Sequence, residues 1–533
     1  MSEVGMEAEA ANDGVGALEV SGAARPAAVS LLRYSPAFLA FIIVVADAGR
    51  WADPDLWGHL VFGRLILLHG HLPSRDIYSY SANGLPWHDH EWLSEVVLAL
   101  CWSGFGVVGL KLMKLACTAA TLTLLALGAA ETGAPMPLQM VVLTTGAAAL
   151  APMMQFRPQL FDFVALSALL LLLARDSYWR AGRLWLAVPI FALWVNLHGG
   201  FFVGLAVLAL YAAVTAIEDM AAGNGLGRTI HLGGVTAGCV LATLLNPDGI
   251  GDWFTVMHTL GNPFTRAVIS DWQPLLFKIV ELWHKSPATA INFALVIVPL
   301  AALAVCFVMR PRGGDLALVA IAAMMGVAAY LAVRNMALAV IASVAPLCRH
   351  AALALEGTRY ASPGPPAPRK RFYEAAVAAL ALVLAFSTGL FSRDLPDGYP
   401  QPRGAIEFMR AKGLHGNVLG DFGWGEYLIF HLAPRSKVFI DSRYDMVYPQ
   451  KVLADYFDFY FDRPRAGAVL DAYPHDFVLI PPTAPVRALM ERRPDWRLIY
   501  SDPNALLFAR AGSPAARLKG VPIRGRPQPQ TFP

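Results

Sequence analysis

Long apolar runs separated by short polar connections fill the chain from about residue 36 to 391, and a different pattern of short alternating segments follows. A helix that crosses a bilayer needs about 20 largely apolar residues. On that measure the sequence predicts eleven spans, near 36–50, 107–130, 136–152, 158–174, 184–197, 199–219, 229–246, 288–308, 315–332, 336–350 and 373–391. A shorter amphipathic helix near 91–104 is expected at the membrane interface. Residues 1–34, rich in Ala, Glu and Gly, lack the charged-then-apolar layout of a cleaved signal. They read as a disordered cytoplasmic tail before an uncleaved first anchor.

Beyond residue 392 the periodicity shortens. Helix-like Ile406–Lys412 leads to strand-like Asn417–Gly420, then Gly425–His431 and Lys437–Asp441, with further alternation through Phe477–Ile480, Trp496–Ser501 and Ala505–Arg510. This predicts a small α/β domain over 393–510. The Pro-, Arg- and Gly-rich stretch 511–533 reads as a disordered tail. The expected fold class is therefore a polytopic α-helical membrane protein, 35–392, with a first outer loop at 51–106 and a C-terminal extracytoplasmic α/β domain.

Composition agrees: 56% of the 533 residues are hydrophobic and 15% charged, where a soluble domain carries about 25% charge. A net charge of +3 without a long basic run excludes nucleic acid as a partner. Five cysteines all fall in apolar segments, so neither a disulfide framework nor a paired-cysteine metal knuckle is expected. Charge changes the picture mainly by fixing sidedness. Arg175, Arg180 and Arg183 share one connection, Arg310 and Arg312 another, and Arg349, Arg359, Arg369, Lys370 and Arg371 a third. With eleven spans these connections share one face, the cytoplasmic one by the positive-inside rule. The N-terminus is then inside, and the C-terminal domain outside.

The opposite face collects the unusual polar residues. Asp53-Pro54-Asp55 can start a helix, with Asp53 at the N-cap, Pro at the first helical position, and an end at Gly70. Capping accounts for one carboxylate and leaves Asp55, with His59 one turn further on its face, as candidate chemistry. Asn83-Gly84 marks a hairpin. On an extended second arm His88 and His90 would point one way and Asp89 the other, ahead of Glu91. His59, His88, His90, Asp55 and Glu91 could assemble a divalent-cation site, because imidazole and carboxylate suit zinc or manganese. His88 and His90 could equally be interfacial polar groups at headgroup level. Arg157 and Arg334 end spans on this face, where a guanidinium either snorkels or binds phosphate. His198 sits in the turn Asn196-Leu197-His198-Gly199-Gly200, whose glycines permit close approach, and Asn246-Pro247-Asp248-Gly249 is a turn. In the outer domain, the loops Asp421–Tyr427 and Asp441–Asp445 follow strands, where α/β sheets commonly bind ligands. They are candidates for acceptor binding, lid closure or scaffolding.

Taken together, the anchor span, an acidic first outer loop, many spans and an outer C-terminal domain resemble the GT-C superfamily of membrane glycosyltransferases. In general plan the chain is similar to protein mannosyltransferases and lipid A sugar transferases. The segment Asp421–Tyr427 with Val438-Phe439-Ile440-Asp441-Ser442-Arg443 looks like that of a bacterial branch of this group. The resemblance implies a polyprenyl-phosphate sugar donor, a lipid, glycan or protein acceptor, and a site in the bacterial inner membrane. It also implies a base from the first loop, Asp53 or Asp55, where mannosyltransferases have adjacent Asp-Glu. It leaves metal dependence open. A flippase of lipid-linked glycans and a non-enzymatic envelope scaffold are the alternative readings.

Overall fold

The computed structural model describes residues 42–47, 51–180, 183–263, 266, 269–311, 313–356, 394–518 and 521–522. The predicted span 36–50 is described only at 42–47, and the span 373–391 and the tail 1–34 lie outside the described residues. Among the described residues five helices are long and apolar enough to cross a membrane. They are Trp92–Glu131, Met136–Met153, Phe201–Ala221, Pro287–Met309 and Val333–Ala354, with shorter apolar helices at Leu56–His69, Leu184–Trp194 and Leu316–Leu331. Gln159–Trp179 is a further helix of 21 residues, which carries Asp162, Arg175 and Asp176. The chain is thus a helical membrane protein with a C-terminal α/β domain.

The helix expected at 91–104 and the span expected from 107 are two helices that meet at a kink: within Trp92–Glu131, Gly106 leaves helical geometry with φ of 59° and ψ of −142°. Helix Met336–Ala354 is buried along most of its length and forms the axis of the bundle. Arg334 and Asn335 sit at its start.

One end of the bundle is tied by charge. Arg175 pairs with Glu131 at 2.7 Å, the Arg349 guanidinium donates to the carbonyls of Gly313 and Thr132, and Tyr178 donates to Asp315 at 2.7 Å. His350 bridges Asp315 and the Arg310 carbonyl. These are arginine-bearing connections that the sequence assigned to one face.

The α/β domain caps the other end. Strands β1 (Asn417–Gly420), β2 (Lys437–Val438), β3 (Phe477–Ile480), β4 (Trp496–Ser501), β5 (Leu506–Arg510) and β6 (Val521–Pro522) form one mixed sheet in the order β2-β1-β3-β5-β4-β6. β1 pairs parallel with β2 and β3, whereas β5 runs antiparallel to both β3 and β4. The Gly425–His431 segment is helix, Gly425–Leu432, and packs six buried residues on the sheet and bundle. The domain also extends past residue 510. β6 pairs with β4, and Ala515 and Ala516 are buried, so 511–518 and 521–522 belong to the domain, while 523–533 lie outside the described residues.

The opposite edge, β2, is covered by the loop 70–91: the Tyr80 N–H donates to the Val438 carbonyl and the Val438 N–H to that of Tyr78, at 3.1 and 3.0 Å. An open strand edge is a pairing hazard, and here it becomes the joint between loop and domain. Ala52 pairs with Asp397 at a second joint. The first loop and the C-terminal domain therefore build one wall together.

Candidate active site

Helix Leu56–His69 begins at Asp55 and ends at Gly70, which adopts the left-handed conformation at φ 70°. Asp53 makes the capping bond expected of it: its Oδ1 accepts the Asp55 N–H at 3.0 Å and its carbonyl accepts from Leu56 N–H at 3.1 Å, whereas Asp55 makes no side-chain cap. The N–H of Gly58, further along the first turn, donates to Glu426 Oε2 of the C-terminal domain at 2.9 Å. A Cβ at 58 would overlap the Glu426 carboxyl and displace it from the Gly58 N–H. Ser442 donates to the same carboxyl. Burial foremost, and then the nearby Asp55 charge, raise Glu426 well above the ordinary carboxylate range.

Both aspartates also meet Arg157, Asp53 through the same oxygen that takes the Asp55 N–H. Arg157 Nε lies 2.8 Å from Asp53 Oδ1, Nη2 lies 2.6 Å from Asp55 Oδ2, and Nη1 lies 2.9 Å from Asp271 Oδ2. The guanidinium thus fills the space among three carboxylates. The aspartates differ in exposure: Asp55 lines the central cavity, whereas Asp53 is 10% exposed and lies behind it. Burial outweighs the Arg157 attraction at Asp53 and pushes its carboxyl up to about 6. At Asp271 burial opposes ionisation too, but Arg157 holds the carboxyl below its ordinary value.

The cavity has a volume of about 560 Å³ and lies between bundle and cap. Arg334 faces it, its guanidinium 4.3 Å from the Trp272 ring centre. Arg334 makes no ion pair among the described residues, so its charge is available to a ligand.

A second cluster forms the adjoining wall. His198 is held from both sides, Nδ1 by Asp162 and Nε2 by Glu91 Oε1 at 3.2 Å. Asp162 is fixed in turn by Trp194 Nε1 at 2.6 Å, and a Cβ on Gly200 would overlap its carboxyl. The close approach that the Gly199-Gly200 pair allows is thus made by a carboxylate at Gly200. Glu91 Oε1 also lies 3.6 Å from His90 Nε2, and His59 Nδ1 lies 3.1 Å from Glu95 Oε1. Burial works against the charge of His198, yet Asp162 and Glu91 raise it to about 9. Burial likewise opposes the charge on Glu91, but His198, His90 and His59 hold its carboxyl well below the usual range. Burial lowers His90 and pushes Asp89 up to about 6.

A sign follows for stability. His198 has a raised folded pKa, so its contribution is complete below about 6.5 and is lost as pH rises through about 9. Thermal unfolding in nanodiscs should show a fall in stability across that window, and His198→Gln should flatten it. An equally steep fall in the variant would remove His198 as its source.

Of the ten residues picked out in the sequence, the cavity gathers Asp55, His59, Asp89, His90, Glu91, Arg157, His198 and Arg334. Asp53 stands behind it. His88 is apart, half-exposed and 3.2 Å from Asp248. The expected alternation of His88 and His90 against Asp89 fails because the chain turns at His90 into helix Trp92–Glu131. No group of three or more His, Cys, Asp or Glu among the described residues is arranged to hold a metal ion. Sequence reasoning missed Asp162, Asp271 and Glu95, each an isolated acid beside an apolar run, with no local motif to mark it.

The cap contributes Asp421, Phe422, Gly423, Glu426, Ser442 and Arg443 from its two strand-following loops. It also contributes the aromatic run Tyr456–Phe461, whose i, i+4 spacing was visible in the sequence but not singled out.

No family model and no curated protein matches the sequence. Solved structures do. The mycobacterial arabinofuranosyltransferase AftD is similar at a TM-score of 0.50 and 14% identity, over 90% of this chain and 41% of that one, so the chain spans less than half of AftD's length. ArnT from Cupriavidus metallidurans bound to undecaprenyl phosphate matches at 0.48 and 14%, over 91% and 99%. The Archaeoglobus fulgidus oligosaccharyltransferase tethered to an acceptor peptide matches at 0.48 and 12%, over 85% and 69%. The fold of this chain is GT-C-like.

Proposed function

We propose, on the premise of that GT-C-like fold, that the chain is a membrane glycosyltransferase. It moves a sugar from a polyprenyl-phosphate donor to an envelope acceptor at the periplasmic face of the inner membrane, with inversion. The observation that carries this reading is one cavity holding both a carboxylate, Asp55, and a cation without an ion pair among the described residues, Arg334. Fold likeness alone does not name a reaction; the site's chemistry carries the proposal.

Asp55 is the base. It takes the proton of the acceptor hydroxyl as that oxygen bonds to the anomeric carbon, and the bond from that carbon to the phosphate oxygen breaks. The electron pair leaves with the lipid phosphate, whose growing charge Arg334 stabilises. A base on one side of the sugar and a leaving group on the other give inversion, as in inverting glycosidases. Arg157 orients Asp55 through its Nη2 contact, and Asp53 and Asp271 hold Arg157 in place. The arginines tied at the far end of the bundle support a cytoplasmic face there and a periplasmic site.

The test is mass spectrometry of envelope lipids and glycans from a deletion strain with and without the wild-type gene. A sugar-sized mass lost on deletion and restored by the gene is expected. An unchanged envelope would defeat the transferase reading.

A further inference from the structure

The transfer chemistry leaves one part of the cavity wall without a task. Helix Gln450–Tyr460 and the residue after it line the cavity with Tyr456, Phe457, Tyr460 and Phe461; Tyr456 and Phe457 are buried and back the open rings of Tyr460 and Phe461. The four form two stacked i, i+4 pairs. The Tyr456 and Tyr460 rings lie 5.8 Å apart at 22°, and those of Phe457 and Phe461 lie 6.0 Å apart at 16°. Phe422 extends the surface, 6.2 Å from Phe457. At its edge stands Asp421, buried at 4%, whose Oδ1 accepts from the Gly423 N–H at 2.9 Å and the Tyr399 hydroxyl at 3.2 Å.

We propose that this ring platform, with Asp421 at its edge, is the acceptor subsite, and that the acceptor is a carbohydrate chain. The proposal rests on the transferase reading above and deepens it. Three observations bear it. The platform opens into the cavity that holds Asp55, so a chain lying on it can reach the base. Phe461 is 46% exposed, and Phe461 and Leu498 are the only exposed large hydrophobic residues among the described residues of the C-terminal domain. A ring left open on an otherwise polar cap faces an aqueous ligand, whereas the exposed apolar side chains of the bundle face lipid. The chemistry matches a sugar, whose C–H face is apolar and flat while its rim is hydroxylated. Flat rings meet the face, and a carboxyl already bonded to a tyrosine hydroxyl can exchange that partner for a sugar hydroxyl.

The test uses full-length protein in the deletion strain, carrying wild type, Phe461→Leu, Phe461→Trp or Asp55→Asn. It follows the rate of product formation after induction by mass spectrometry, with protein level and thermal transition checked in parallel. Leucine keeps an apolar side chain and removes the ring; tryptophan keeps a ring. Phe461→Leu should slow product formation by roughly three- to tenfold, Phe461→Trp should hold the wild-type rate, and the added sugar should be found on a glycan. A wild-type rate in Phe461→Leu, equal loss in both Phe461 variants, or a sugar attached to protein or to a lipid hydroxyl would overturn the subsite. Wild type that restores no sugar would instead defeat the transferase reading itself, and an Asp55→Asn rate equal to wild type would defeat the assignment of Asp55 as base.

Discussion

Asp55→Asn should slow sugar transfer by about 10²–10⁴-fold, the range for losing a positioned general base, while Asp53→Asn should cost about tenfold or less. The two aspartates share Arg157 but not the cavity: Asp55 lines it, and Asp53 is set behind with its carboxyl on Arg157 Nε and the Asp55 N–H. An amide at 55 keeps a hydrogen-bonding oxygen for Arg157 and loses the ability to take a proton. An amide at 53 weakens only the seat of Arg157. Initial rates in nanodiscs with a polyprenyl-phosphate sugar would separate the two. A larger loss from Asp53→Asn would transfer the base assignment to that residue.

Arg443→Ala should be the most destabilising single change in the cap, by about 3–5 kcal/mol, the usual result of stripping one partner from a buried ion pair. Arg443 is 4% exposed and bonds Asp441 through Nε and Nη2 at 2.8 and 2.7 Å. Its Nη2 also reaches Asp76 of the first outer loop at 2.8 Å. Its guanidinium lies over the rings of Trp87 and Phe62, at 4.5 and 5.0 Å. Asp76 and Asp441 are both fully buried, so alanine would leave two carboxylates without their cation. Arg443→Lys keeps the charge and loses the two-pronged contact, so it should fall between wild type and alanine. Thermal unfolding gives the magnitude, and limited proteolysis of the first outer loop shows whether the cap has come loose. A change below about 1 kcal/mol in alanine would mean that the clamp does not join the two parts.

The membrane class, the placement of most described spans and the separate α/β character of the C-terminal region were legible in the sequence. Each depends on local periodicity over ten to twenty residues, which a chain displays wherever its partners lie. The polar residues of the first outer loop stood out for a related reason: acids and imidazoles between apolar runs are expensive unless they have a task. Helix Leu56–His69 ended at Gly70 as its sequence predicts. Gly425–Leu432 shows where local reading stops, because its alternation fits a strand or a buried helix alike, and packing between sheet and bundle selected the helix.

The sequence by itself determined which residues were unusual: two aspartates beside a span, histidines in an outer loop, two arginines at helix ends. Tertiary structure decided what each one does. Glu426, 368 positions away from Gly58, takes a further N–H at the start of the helix that Asp53 caps, and Arg157 gathers both aspartates. Asp271 joins them from a loop with no motif, and the turn at His90 sends His88 out to Asp248. Ion pairs and hydrogen bonds act over about 3 Å in space and take no account of separation along the chain. Periodicity therefore revealed the elements, and only the folded contacts assigned the roles.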